Sequence, residues 1–294
     1  MRIAVIGGAG RMGRWLLEHF TEHGHTLIAS DPLSNELREI AESFALTLAS
    51  SNAAAAKNAD VVIISVPLKS TADVIQEVAP HMKRDAVLCE ISSVKGKTPE
   101  LLHEIAALQL RPLSIHPMFG PGVRSLNKKM VLVPISDPED EQRLVETLFP
   151  NHQIVTVDRE EHDRAMALTV SLPYFVNMIM ASVLSDEDLT WLRRLGGTTF
   201  AVQLLLTGSI MSNSCALHAA LHKENPHVDS VLRNFQSRLE RGLATLTQDT
   251  NDFRELYTNI KSNLEQHMNL ENKYGEMYRL LEIMERATVS EGDA

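Results

Sequence analysis

A strand-type run, Arg2–Ile6, passes directly into Gly7-Gly8-Ala9-Gly10-Arg11-Met12-Gly13, and that loop passes directly into a stretch of helical period. No other feature restricts the fold as strongly. A strand and a helix joined by so few residues need a tight backbone turn, which glycine permits. In the spacing Gly8-x-Gly10-x-x-Gly13, the first glycine makes the turn and the second lets backbone approach a ligand. The third lets the helix pack closely on the strand. Arg14 to His23 directs Trp15, Leu16, Leu17 and Phe20 toward a core, and the start of this helix offers unpaired N–H groups to phosphate. Gly8, Gly10, Arg11, Met12 and Gly13 are therefore candidate contacts to a dinucleotide.

A second strand, His25–Ser30, ends in Asp31. A carboxylate there accepts hydrogen bonds from the ribose 2′ and 3′ hydroxyls and repels a 2′-phosphate, which predicts NAD rather than NADP. Strand and helix signals then keep alternating. Helices are expected at 35–44, 52–58, 70–80, 98–108 and 138–149. Strands are expected at 60–67, 86–90, 111–115, 130–134 and 153–157. The run Asp60-Val61-Val62-Ile63-Ile64-Ser65-Val66-Pro67 has the unbroken apolar character of a strand buried on both faces. The pattern predicts an α/β, doubly wound Rossmann domain over residues 1–157.

The loops that follow three of these strands carry the unusual residues: Ser65-Val66-Pro67, Ser92-Ser93-Val94-Lys95-Gly96 and His116-Pro117. Ligands of such sheets bind outside the carboxyl ends of the strands. Val66 and Pro67 would form an apolar wall along the cofactor, with ordinary turn packing as the alternative. His116 offers an imidazole that can take a hydroxyl proton while hydride leaves the same carbon; a histidine bonded into its loop is the alternative. Ser93 and Lys95 could orient an anionic, oxygen-rich substrate.

Beyond residue 157 prolines and β-branched runs thin out. Helical periods are expected at 160–184, 186–194, 198–211, 213–223, 227–247, 250–267 and 269–287. Residues 158–294 thus read as an all-helical domain. Its stripe Leu168, Leu172, Phe175, Ile179 and Val183 requires a bundle partner or a second subunit, so a homodimer through the helical domain is expected. The formal net charge of -10 argues against a general nucleic-acid partner. Cys89 and Cys215 read as reduced core residues, and no metal ligand set stands out. No apolar run looks long enough to cross a bilayer, so a cytoplasmic protein without membrane association is expected.

Taken together, Gly7-Gly8-Ala9-Gly10-Arg11-Met12-Gly13-Arg14, Val61–Pro67, Ser93-Val94-Lys95, His116-Pro117-Met118-Phe119-Gly120-Pro121 and Glu161-His162-Asp163 resemble the prephenate dehydrogenase family of tyrosine biosynthesis. The likeness is strongest over residues 1–166. It implies an NAD-dependent oxidative decarboxylation of a cyclohexadienyl substrate, prephenate, to 4-hydroxyphenylpyruvate. By resemblance, His116 would take the ring C4 hydroxyl proton, Ser93 would hold the same hydroxyl and His116, and Lys95 would place positive charge near the substrate or the nicotinamide. His162 would support the site from the start of the long helix.

The chain also departs from that family. Where relatives carry a histidine on the long helix, this sequence has Ser171-Leu172-Pro173-Tyr174, so Tyr174 takes that place; where they carry substrate-clamping arginines, it has Ala201 and Ser209. Neither side chain replaces a bidentate guanidinium. Arg124, Lys128, Lys129, Arg193 and Arg194 are the cations that could compensate, with Arg124 and Lys128 nearest in sequence to the His116 loop. The alternative is a substrate analogue such as arogenate or 4-amino-4-deoxyprephenate. A β-hydroxyacid-type dehydrogenase is disfavoured because no lysine lies between Lys129 and Lys223. A non-catalytic NAD-binding dimer would keep the glycine loop and Asp31 without needing Ser93, Lys95 and His116 together.

Overall fold

The computed structural model describes residues 1–122, 128–248 and 250–292. The chain divides into two compact units: residues 1–167 together with 219–227, and residues 168–218 together with 228–294. The first division falls ten residues beyond the expected 157, and a short segment from the helical part, Ala219–His227, returns to the first unit.

The first unit holds β1 (Arg2–Ile6), α1 (Arg11–Glu22), β2 (Thr26–Ser30), α2 (Ser34–Ser43), β3 (Leu46–Leu48) and α3 (Asn52–Ala56). It continues with β4 (Val61–Ile64), α4 (Thr71–Val78), β5 (Val87–Glu90), α5 (Thr98–Ile105) and β6 (Arg111–Pro117). Then follow β7 (Lys129–Leu132), α6 (Pro138–Leu148), β8 (Gln153–Thr156) and α7 (Arg159–Met166). The strands form one sheet in the order β3-β2-β1-β4-β5-β6-β7-β8. All neighbours are parallel except β6 and β7, which pair antiparallel with His116 opposite Val131. Among the described residues no helix intervenes between those two strands, and a parallel pair would need a crossover connection. β3 was not expected from the sequence; it is a three-residue edge strand, half-exposed, and has too little apolar patterning to announce itself.

Period-two alternation builds two cores, one on each face of the sheet. Ile3, Val5, Ile63, Cys89, Leu113 and Ile115 face one way and pack with Leu16, Leu17 and Phe20 of α1 and Phe149. Ala4, Ile6, Val62, Ile64 and Leu88 face the other and pack with Ile75 of α4 and Leu102 of α5. Each face therefore buries what an antiparallel sheet would leave wet on one side. The acidic start of α6 is not uniformly solvated: Asp137 caps the helix by accepting N–H bonds from Glu139 and Asp140, while Glu141 is buried and accepts those of Ile135, Ser136 and Asp137.

The second unit is helical: α8 (Leu172–Leu184), α9 (Leu189–Leu195), α10 (Thr198–Met211), α11 (Cys215–Lys223, which ends in the first unit), α12 (Val228–Gln248), α13 (Thr250–Glu265) and α14 (Leu270–Gly292). Pro173 has no N–H to give to the preceding turn, and just before it the ladder widens into a π-helical stretch at Ala167–Ser171. Asn177 of α8 is buried; its Oδ1 accepts from Gln203 Nε2 and Thr207 Oγ1, both at 2.8 Å, and these bonds tie α8 to α10. Against expectation, one helix does have the length and composition to cross a bilayer. Arg159–Leu184 spans 26 residues with mean hydropathy 1.7 over its best 18-residue window, of which 17% is buried. Leu168, Ile179 and Val183 of the expected stripe point outward rather than into a core.

On the outer side of α1, His19 is stacked between Trp15 and Phe149, and its Nε2 donates to the Leu148 carbonyl at 3.0 Å. Burial, with help from the nearby charges of His23, His152 and Lys128, lowers its pKa from 6.5 to about 4. A folded-state pKa below the unfolded value means that the unfolded chain takes up a proton the folded one refuses. Stability present above pH 6.5 is then lost as pH falls toward 4, by roughly 3 kcal/mol at the lower end. Urea unfolding midpoints measured between pH 7 and pH 4.5 should fall more steeply for the wild type than for His19→Phe; equal slopes would refute the assignment.

Candidate functional site

The glycine loop has the shape that the sequence predicts. Gly7 has a φ of +87°, and a Cβ on it would lie 2.3 Å from the Ser65 carbonyl oxygen. A Cβ on Gly13 would lie 2.1 Å from the Gly7 carbonyl oxygen, so only glycine lets α1 start this close to the turn. Gly8 is closed in by Leu37 and Ala29, at 3.0 and 3.1 Å from a built Cβ. Gly10 is the N-cap of α1 and no side chain caps it, which leaves the first N–H groups of the helix unclaimed by a capping side chain. Arg11 is exposed and Met12 half-buried at this helix start. Asp31 lies beside the loop: Oδ2 accepts the Ala9 N–H at 3.0 Å and Oδ1 that of Leu33 at 2.8 Å. Val66 also reaches the loop, with a methyl 3.2 Å from a Cβ built on Gly7, whereas Pro67 is exposed. These residues surround the tight turn between β1 and the start of α1, where backbone N–H groups of the helix start are open to a phosphate.

β4, β5 and β6 lie side by side and parallel, so the loops after them share one end of the sheet. His116, near the end of β6, is only 6% exposed. Its Nδ1 is 3.1 Å from Nε2 of His162 on α7, and Nδ1 of His162 is 2.8 Å from Oδ1 of Asp163. The carboxylate can only accept, so His162 donates its Nδ1–H and keeps Nε2 as an acceptor. His116 must then donate its own Nδ1–H, which leaves Nε2 as its unprotonated, basic nitrogen. Burial first, then the positive charge of Lys95 and the neighbouring His162, hold the pKa of His116 well below 6.5. The imidazole is therefore neutral, and able to accept a proton, at neutral pH.

Asp163 is the anchor of this chain. Besides His162 it accepts the main-chain N–H groups of Lys95 at 2.8 Å and Gly96 at 2.9 Å. Burial alone would raise its pKa, but these hydrogen bonds outweigh burial and the net shift is downward. Asn225, in the returning segment, donates to the Asp163 carbonyl at 2.7 Å. The sequence singled out His162 and gave no role to its neighbour; a buried carboxylate next to a histidine in Glu161-His162-Asp163 was the available signal.

Lys95 is placed otherwise than the sequence suggested. Its ammonium is fully buried and donates to Glu90 Oε1 and to the Ile115 carbonyl, both at 2.7 Å. It does not present its charge to a substrate; a hydrogen-bonded, desolvated ion pair consumes it. Glu90, absent from the sequence-predicted site, is its partner. Ser93 lies half-buried in the same loop and makes no hydrogen bond among the described residues.

The remaining candidates fall elsewhere. Lys128 sits over the Trp15 ring at 5.2 Å and the Phe119 ring at 6.0 Å, a cation–π arrangement against α1. Arg124 lies outside the described residues. Within the helical unit, Tyr174 packs its ring on His218, centroids 5.0 Å apart, and accepts a hydrogen bond from Asn213 at 3.3 Å. A histidine thus stands beside Tyr174, brought there from α11 by the tertiary fold. Ala201 shares a pocket of about 580 Å³ with Arg193 and Phe200. A cavity of about 800 Å³, lined by residues such as Pro99, His103, Val133 and Glu161, contains none of the candidate catalytic, substrate-binding or cofactor-binding residues.

Sheet order, glycine cradle and the polar chain at the strand ends define a doubly wound, dinucleotide-fold protein with a helical second unit. Residues 18–148 match the model of the prephenate dehydrogenase nucleotide-binding domain. Through this domain the chain is similar to the prephenate dehydrogenase family. It is 23% identical over 285 residues to a probable arogenate/prephenate dehydrogenase of Methanocaldococcus jannaschii, covering 95% of this chain and 63% of that one. It is 25% identical over 278 residues to the 4-amino-4-deoxyprephenate dehydrogenase of Streptomyces pristinaespiralis, covering 90% and 92%. The chain spans only about three fifths of the length of several relatives, 61 to 63%. The fold is shared with the prephenate dehydrogenase of A. aeolicus, solved with hydroxyphenyl propionate and NAD+, at a TM-score of 0.73, 16% identity and coverage of 90% and 98%.

Asp163→Asn tests the tautomer assignment. The amide can no longer require a donated Nδ1–H, so the imidazole 15N shifts of His162 and His116 should lose their fixed single-tautomer pattern. Unchanged shifts in a folded variant would show that Asp163 does not set the protonation of the pair.

Proposed function

We propose that this protein is an NAD-dependent dehydrogenase of a cyclohexadienyl acid, converting prephenate to 4-hydroxyphenylpyruvate and carbon dioxide. The observation that carries this reading is the ordered chain Asp163–His162–His116, which ends in a basic Nε2 near the end of β6. Gly8, Gly10, Arg11, Met12, Gly13, Val66 and Asp31 would hold NAD, which would supply the acceptor for the C4 hydrogen and its two electrons. His116 Nε2 takes the proton of the C4 hydroxyl as C4 is oxidised. The ring carbonyl draws in the electrons of the departing carboxylate, the ring becomes aromatic, and the imidazolium returns the proton to the oxygen. No net proton is released, consistent with a dianionic substrate becoming a monoanion and carbon dioxide. Ser93, with its hydroxyl unengaged, is suited to hold the same oxygen.

A second reading has specific support: oxidation of an amino-bearing analogue. Ala201 and Ser209 stand where the family resemblance calls for arginine, and the Streptomyces pristinaespiralis relative matches along nearly its whole length. Arg193, in the pocket of Ala201, is a cation able to meet a carboxylate bound there. Tyr174, with His218 beside it, belongs to the proposed substrate side, as does the helical domain as a whole.

The helical unit leaves Leu239, Leu243 and Leu246 of α12 and Phe253, Tyr257, Ile260 and Leu264 of α13 at 40 to 65% exposure. Spacings of three and four residues make these continuous apolar stripes, which a second copy of the unit would cover. This reading makes the protein a cytoplasmic homodimer whose exposed apolar helices face a partner rather than lipid. Leu243→Glu combined with Ile260→Glu should convert dimers to monomers in light scattering; a wild type that is already monomeric at micromolar concentration would exclude the dimer.

Purified protein with NAD should form NADH from prephenate, arogenate or 4-amino-4-deoxyprephenate, and the relative kcat/KM values choose among the readings. His116→Asn should lower kcat by about a thousandfold and leave NAD binding intact. The acid limb of kcat/KM should lie below pH 6.5, since the imidazole is held below that value. NAD binding without turnover of any of the three substrates would favour a non-catalytic role.

A further inference from the structure

Glu90 ends β5 in complete burial, and its carboxylate is saturated. One oxygen accepts Lys95 Nζ at 2.7 Å and the Ser114 hydroxyl; the other accepts the Ser92 N–H at 2.7 Å and the Ser92 hydroxyl. Four donors are what a carboxylate needs when no water reaches it. Lys95 carries the contact onward in two directions. Its ammonium donates to the carbonyl of Ile115, the residue before His116, and its main-chain N–H donates to Asp163, the far end of the histidine chain. One residue therefore holds both ends: the strand that carries the base and the carboxylate that orients it. The hydrogen bonds close a ring through Lys95, Ile115, His116, His162 and Asp163, with Glu90 holding the longest side chain in it.

We infer that Glu90 is a positioning residue of the catalytic chain, acting through Lys95 to hold His116 and Asp163 in a fixed relation while touching neither. The inference rests on reading His116 as the base. A fixed relation matters because the 3.1 Å contact between the two imidazoles joins different elements, β6 and α7. A shift of either element breaks the tautomer that leaves Nε2 basic. The pair also sets the field around the base. Among the described residues, the charged and titratable groups about His116 are Lys95 and Glu90 from the end of β5 and its loop, and His162 and Asp163 from α7. Of these, the Lys95 ammonium opposes protonation of His116, and Glu90 keeps that ammonium in place.

The full-length protein labelled at the histidine ring carbons gives a test that needs no substrate, with His116→Asn identifying the resonance. Lys95→Met should raise the His116 titration midpoint by about one pH unit, because a positive charge close to the ring has gone. Should Lys95→Met alone fail to fold, the double variant Glu90→Gln/Lys95→Met removes both charges together and should shift the midpoint in the same direction. Turnover supplies the second readout. Glu90→Gln should reduce kcat about tenfold in the wild-type background and less than twofold when Lys95 is already Met, since Lys95 is the contact through which Glu90 reaches both ends of the histidine chain, whereas Ser114 touches β6 alone. A midpoint that stays put in both Lys95 variants, or a Glu90→Gln loss that persists undiminished without Lys95, overturns the proposal. Absence of turnover in the wild type would instead defeat the functional reading and leave the titration result to stand by itself.

Discussion

The Asp163 carboxylate joins segments that lie nearly seventy residues apart in the chain, and the chemistry of the site depends on that junction. With one oxygen it receives the imidazole N–H of His162 and the main-chain N–H of Lys95; with the other it receives the N–H of Gly96. A buried carboxylate is costly unless its lone pairs are met, and here hydrogen bonds more than offset that cost, since the net pKa shift is downward. Once Asp163 is fixed and ionised, the protonation pattern follows by necessity: a donor on His162 Nδ1, an acceptor on its Nε2, a donor on His116 Nδ1, and a free lone pair on His116 Nε2. Which nitrogen of His116 is left with a free lone pair is thus decided by an acceptor-only group two side chains away.

A parallel sheet explains why such a junction can exist. Because β4, β5 and β6 run the same way, the loops that leave them open on one side, and these three central strands are buried on both faces. Rigidity there permits a tolerance of tenths of an ångström in the hydrogen-bond chain. The glycine loop at the end of β1 is subject to the same crowding. Gly13 cannot carry a side chain because the Gly7 carbonyl would lie 2.1 Å from its Cβ, and that same proximity aims the start of α1 at the loop. Binding of a nucleotide and orientation of a base are therefore two uses of one scaffold edge.

Much of this was legible in the chain. The cradle at Gly8, Gly10 and Gly13, the strand at Val61–Ile64 and the helices beyond residue 157 were readable because each rests on local periodicity or on a backbone demand that only glycine meets. Lys95 shows where such reading fails. A lysine in a loop beside a candidate base looks like a substrate cation, and only the approach of Glu90 turns it inward; nothing in Glu90-Ile91-Ser92-Ser93-Val94-Lys95 says that the two side chains will meet. The part Asp163 plays was only half legible, since its neighbour His162 is adjacent in sequence but its other partners, the main-chain N–H groups of Lys95 and Gly96, leave no trace in composition. Tyr174 was seen as standing in for a histidine, yet His218 packs against it from another helix.

By itself the amino-acid sequence determined the alternation of strand and helix, the glycine turn and the residue types able to move a proton, because these depend on neighbours within a few positions. Tertiary structure alone decided which of those groups face each other. It paired Lys95 with Glu90 and so removed its charge from the substrate's side, linked His116 to His162 across β6 and α7, and made Asp163 the fixed acceptor. The physical reason is that a buried charge or an imidazole tautomer is governed by what lies within hydrogen-bonding distance, and that distance is set by packing between segments far apart in the chain.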